Sequence, residues 1–124
     1  MTLLSILYLC QTFLIGVPAE PSFSELTAGP DPGQVTIQIK TVASGLSDRD
    51  ARGFEFVLIP ILDGVLGNEL RFPRPNYQSG TLETITISNL SPGQSYKFIA
   101  TAVNFFGISS PANSVAVRAG ILYV

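Results

Sequence analysis

Carboxylates are the one class of side chain here that could carry acid–base chemistry. The chain has no histidine and a single cysteine, Cys10. Neither a Ser-His-Asp triad nor a His-based metal site can therefore be assembled, and a thiol nucleophile could come only from Cys10. Asp48, Asp50, Asp63, Glu69 and Glu83 are candidates by type, but a glycosidase-style reaction needs two carboxyls facing each other across a cleft. Asp48 and Asp50 stand beside Arg49 and Arg52, a mixture that reads as solvated loop charge. Two acidic residues also fall far short of the six or more oxygens that calcium takes. The expectation is a chain that is not an enzyme, with no catalytic residues, no cofactor and no metal.

The other chemistry on offer is apolar. Asn104-Phe105-Phe106-Gly107 followed by Ile108 places large apolar groups in a turn that Ser109-Ser110-Pro111 closes. Exposed aromatics beside apolar residues are what interface anchors look like. A turn that short has difficulty burying three such groups, so at least one ring is expected at the surface, and Phe105, Phe106 and Ile108 become candidate partner-binding residues. The competing arrangement folds one or both rings back onto the end of the domain.

These residues need a scaffold, and the pattern around them is that of strands. Ile85 and Ile87 alternate with Thr84, Thr86 and Ser88, then Tyr96, Phe98, Ala100 and Ala102 alternate with Lys97, Ile99 and Thr101; both runs have the period of two expected of half-buried strands. Between them Pro92 presets φ and Gly93 tolerates a positive φ, so the chain must reverse. Val35, Ile37 and Ile39 alternate in the same way, and a strand is expected from Gly53 through Phe54, Phe56 and Leu58. Asp63-Gly64 between apolar pairs is a two-residue hairpin signal, expected to join that strand to one over residues 68–72. Residues 20–32 read as a proline-limited edge strand, residues 114–117 as a short last strand, and residues 76–80 as a polar loop. No helix and no internal repeat is legible.

The sequence Leu90-Ser91-Pro92-Gly93-Gln94-Ser95-Tyr96, with Asn104-Phe105-Phe106-Gly107 after it, resembles the second half of a fibronectin type III domain. In that family a leucine closes strand E, a Pro-Gly turn follows, a tyrosine opens strand F, and an Asn-x-x-Gly turn leads toward strand G. The resemblance covers roughly residues 20–119 and implies an all-β, seven-stranded immunoglobulin-like sandwich. Leu90, Pro92, Gly93 and Tyr96 are then structural, with Tyr96 either a tyrosine corner or an ordinary core tyrosine. It further implies that the loops 41–53, 75–82 and 104–111 gather at one end, which brings Arg49 and Arg52 beside the phenylalanines as a polar rim. The chain departs from the family by having Ile39 where a tryptophan is usual; Phe54, Phe56 and Phe98 are expected to fill that space. It has no Arg-Gly-Asp and no Trp-Ser-x-Trp-Ser, so neither integrin binding nor a cytokine-receptor role carries over.

Composition bounds the remainder. The 124 residues have room for one such domain, and 46% hydrophobic with 13% charged residues excludes a disordered chain. A net charge of −2 without a dense Lys/Arg patch argues against nucleic acid. Residues 3–17 are nearly all apolar and carry no charge, and Val17-Pro18-Ala19 offers small residues of the kind a signal peptidase reads. Residues 1–19 are therefore expected to be a signal peptide cut after Ala19, with a retained anchor as the alternative; the stretch is short for a bilayer span of roughly 20 residues. A cut after Ala19 removes Cys10, so no disulfide is expected. Residues 120–124 read as a C-terminal tail of a truncated chain. Asn89-Leu90-Ser91 fits the N-glycosylation acceptor pattern, although the same residues are accounted for by the turn they form.

The expected function is a secreted or cell-surface module that contacts a protein partner or mediates adhesion through its end loops or a sheet edge. The alternative is a passive structural spacer within a larger receptor or adhesion protein. A membrane enters only if the N-terminal segment is retained or a span follows the C-terminus.

Overall fold

The computed structural model of the chain describes residues 16–43 and 54–121. The apolar segment through residue 15, with Cys10, and the loop carrying Asp48, Arg49, Asp50 and Arg52 lie outside the described residues. The described part is all-β: β1 (Ser22–Ala28), β2 (Val35–Lys40), β3 (Phe54–Leu62), β4 (Val65–Leu66), β5 (Leu70–Arg74), β6 (Glu83–Ile87), β7 (Ser95–Asn104), β8 (Gly107–Ile108), β9 (Ala112–Asn113) and β10 (Val117–Arg118). One antiparallel sheet runs β1-β2-β6, and the other is built on β10-β7-β3-β4 with β5 also paired to β3 and β8 and β9 to β7. The two face each other as a sandwich.

The alternating residues define the core. Val35, Ile37 and Ile39 on β2 and Ile85 and Ile87 on β6 are fully buried from one sheet; Phe54, Phe56, Leu58 and Phe98 meet them from the other. Phe56 lies opposite Ala102 and Leu58 opposite Ala100 in the β3–β7 register. The small alanines leave room for the rings, and each large side chain so buried is worth roughly 1.5–3 kcal/mol. The three phenylalanines and Ile39 thus fill the core without a tryptophan.

The middle of the chain departs from the sequence reading. Asp63 and Gly64 do make the two-residue hairpin, with φ of 52° and 78°, the left-handed pair of a type I′ turn. That hairpin, however, joins β3 only to the short β4, and the strand expected over residues 68–72 is β5, over Leu70–Arg74, paired to β3 a second time. Pro60 is the reason. Its carbonyl accepts the Gly67 N–H at 2.7 Å, so its missing N–H points to the same side of β3, where it falls in the gap between the β4 and β5 pairings. The returning chain must arch over that gap.

The last strand is also broken. In place of a strand over residues 114–117, β8, β9 and β10 pair with β7 piecewise. At the breaks serine side chains complete the ladder: Ser109 Oγ accepts the Ala102 N–H and Ser114 Oγ accepts the Phe98 N–H, each at 2.8 Å. The seven-strand plan is therefore present as more and shorter segments.

Candidate protein-binding surface

The turn between β7 and β8 is shaped by one buried side chain. Asn104 ends β7, and its Oδ1 accepts the N–H groups of Phe106 at 2.9 Å and Gly107 at 3.2 Å. An asparagine that bonds to the backbone two and three residues on closes the chain into a tight turn. The two intervening side chains are thereby directed away from the sandwich. Phe105 is 93% exposed and Phe106 46% exposed, and Ile108 is 67% exposed on β8. The two rings meet edge to face with centroids 5.6 Å apart, an arrangement favoured by the aromatic quadrupole. Neither ring folds back into the core.

Other segments converge on this end. β3 and β7 run antiparallel with Glu55 opposite Val103, so Phe54 and Asn104 share one end of the sheet. Across the sandwich, the end of β2 is tied to the loop between β5 and β6: Gly80 N–H donates to Thr41 O at 2.7 Å, and the Ala43 N–H donates to Ser79 Oγ at 2.9 Å. Val42 and Leu82 are exposed there as well. Tyr77, in the loop that reads from sequence as merely polar, is buried, with its ring edge-on to both Phe54 and Phe56. Its hydroxyl accepts the Thr41 N–H at 3.0 Å. The available signal was an aromatic residue set between Pro75 and Gly80 with no other apolar neighbour to explain it.

Arg49 and Arg52, the proposed rim, lie outside the described residues. Of the remaining acidic candidates, Glu83 pairs with Arg74 at 2.8 Å, and Glu69 pairs with Arg71 at 2.6 Å, which also reaches Glu55. Asp63 occupies the hairpin turn at the opposite end of β3. No two of these described carboxylates converge on a cleft.

The opposite end holds the structural residues. Tyr96 is buried, and its hydroxyl accepts the Ser91 N–H, five residues upstream, at 2.8 Å. Gly93 adopts a φ of 74° after Pro92, and Asn89 is exposed at a φ of 64°. Leu90 packs against the core, and its N–H donates to Gly33 O at 3.0 Å. Pro60, Leu62, Val65, Leu66, Leu90 and Tyr96 surround an open, mainly apolar hollow of about 460 Å³.

No protein-family model and no curated protein matches the chain. Solved structures do. The fn3 domain of human collagen alpha-1(XX) chain superposes with a TM-score of 0.53 at 19% identity, covering 86% of this chain and 90% of that one. The fibronectin type-III domain of human fibronectin type III domain containing protein 3 is 24% identical, with a TM-score of 0.49 and 86% of each chain covered. The FN5 domain of Drosophila Lar is 14% identical, with a TM-score of 0.48, covering 86% of this chain and 97% of that domain. At 19% identity the likeness to the collagen domain speaks to architecture alone, and it agrees with the two-sheet topology: this chain has the fibronectin type III fold.

Proposed function

We propose that the chain is a secreted or cell-surface, non-catalytic module that binds a protein partner through the end bearing Phe105, Phe106 and Ile108. One observation carries this reading: Phe105 is held 93% exposed by a turn whose geometry is enforced by a buried asparagine. A ring fixed in water costs free energy that a partner recovers, roughly 1.5–3 kcal/mol for covering most of one side chain. Because the turn is already ordered, little further entropy is lost on binding. Arg49 and Arg52, which lie between β2 and β3 in sequence, are the charged residues we assign to its rim. The apolar leader directs export, and Asn89, exposed in its turn, is the glycan acceptor.

The spacer reading is favoured by the apolar hollow at the other end, lined by Leu62, Val65, Leu66 and Tyr96, since a spacer packs against its neighbours end to end. The two readings separate in one experiment. The full chain is screened against a panel of extracellular proteins, and the partner found is titrated with Phe105→Ser/Phe106→Ser and with Val65→Ser/Leu66→Ser. Binding weakened only by the phenylalanine pair supports the binder; binding weakened only by the hollow pair overturns it in favour of the spacer.

A further inference from the structure

Residues 16–19, which the sequence reading assigns to a cleaved leader, are built into the domain. Gly16 and Pro18 are buried. Gly16 O accepts a hydrogen bond from Asn104 Nδ2 at 2.7 Å, the other half of the side chain that shapes the phenylalanine turn. Pro18 forms an isolated antiparallel bridge with Ala43. The Ala19 N–H donates to Val42 O at 2.7 Å, and Ala19 O accepts from Thr41 Oγ1 at 2.7 Å. A Cβ placed on Gly107 would fall 3.3 Å from Val17 Cγ2, so Val17 lies directly against the turn. The four residues therefore cross from the end of β2 in one sheet to the end of β7 in the other.

With residues 16–19 in place, Asn104 Nδ2 and Thr41 Oγ1 are paired at positions that are 8% and 3% exposed. A cut after Ala19 removes both acceptors and opens these groups to water, exchanging internal hydrogen bonds for solvent ones. Cleavage by a signal peptidase precedes folding, so the contacts cannot protect the bond. They show instead which product keeps the domain complete. We propose that Gly16, Val17, Pro18 and Ala19 remain on the mature domain as a strap, and that Asn104 is the positioning residue that fastens this strap to the Phe105–Phe106 turn. The strap sets the covalent start of the folded unit whether or not the turn binds a partner.

The test uses the full chain, tagged at its C-terminus and expressed in a eukaryotic host, with the protein from both medium and membranes sequenced from its N-terminus. A start at or before Gly16, including an intact Met1, is expected; folded protein that begins at Glu20 overturns the proposal. Amide exchange on the purified protein adds a second reading. Asn104→Asp keeps the acceptor for Phe106 and Gly107 and removes the donor to Gly16, so exchange at Ala19 should quicken roughly tenfold while the Ser91 amide is unaffected. Should that variant fail to fold, Thr41→Val removes only the hydroxyl bonded to Ala19 O and reports on the same amide. Unchanged exchange at Ala19 overturns the role given to the residue substituted.

Discussion

The Tyr77 hydroxyl closes on the backbone of Thr41 from both directions: it accepts the Thr41 N–H at 3.0 Å, and its own proton is directed at the carbonyls of Thr41 and Thr81. Thr41 follows β2 and Tyr77 follows β5, which belong to different sheets. One phenol thereby fastens the two layers together at the end where the exposed phenylalanines lie. Tyr77→Phe keeps the ring against Phe54 and Phe56 but leaves the buried Thr41 N–H without this partner, and should cost about 2 kcal/mol in denaturant unfolding.

Tyr96 provides a comparison at the other end. Its hydroxyl holds a single backbone N–H, that of Ser91, which is itself exposed. Water can replace the lost partner in part, so Tyr96→Phe should cost about 1 kcal/mol. A loss as large as that of Tyr77→Phe, measured from the same denaturant midpoints, would contradict this ranking.

Gly33 is constrained twice. Its φ is 73°, and a Cβ there would lie 2.3 Å from Leu90 O, the residue that follows Asn89 out of β6. The backbone cannot retreat, because Gly33 O accepts the Leu90 N–H. Gly33→Ala should therefore destabilise by at least about 2 kcal/mol, whereas Gly64→Ala, with open space around its Cβ, should cost only the penalty of a left-handed alanine, about 1 kcal/mol. Thermal unfolding of the two variants checks the difference.

Arg74 on β5 and Glu83 on β6 form an ion pair across the sheets at 2.8 Å, with side chains 31% and 27% exposed. Partial exposure leaves the pair screened by solvent, so Glu83→Gln should cost only about 0.5 kcal/mol. The difference should shrink as salt is raised from low to molar concentration.

Phe105 is almost fully exposed, and Phe106 is about half covered at the surface, outside the core. Their replacement by serine should shift the melting temperature by less than about 4 °C, the scale of a 1 kcal/mol change in a domain of this size. Unfolding of the double variant at ordinary temperature would show that the rings stabilise the domain, and would remove them from the proposed surface.

Much of the architecture follows from local patterning. The alternation of Val35, Ile37 and Ile39, and of Tyr96, Phe98, Ala100 and Ala102, specifies which face is buried, because a strand has a period of two and any one-residue slip would turn every large group to water. Asp63-Gly64 and Pro92-Gly93 are legible as reversals because few other residues tolerate those backbone angles. The asparagine that opens the phenylalanine turn is likewise visible in sequence, since its bonds reach only two and three residues along the chain.

What tertiary structure decided involves partners distant in sequence. Pro60 splits the returning strand only because its missing N–H faces the β4–β5 side of β3, a consequence of register. Ser109 and Ser114 repair a broken last strand through hydroxyls whose backbone partners lie on β7. Tyr77 is buried because Thr41, 36 residues away, offers it a backbone to bind. Residues 16–19 read in sequence as the end of a leader, from their apolar and small side chains. The contact of Gly16 with Asn104, 88 residues away, appears only in the tertiary structure, because no local pattern encodes a contact of that span.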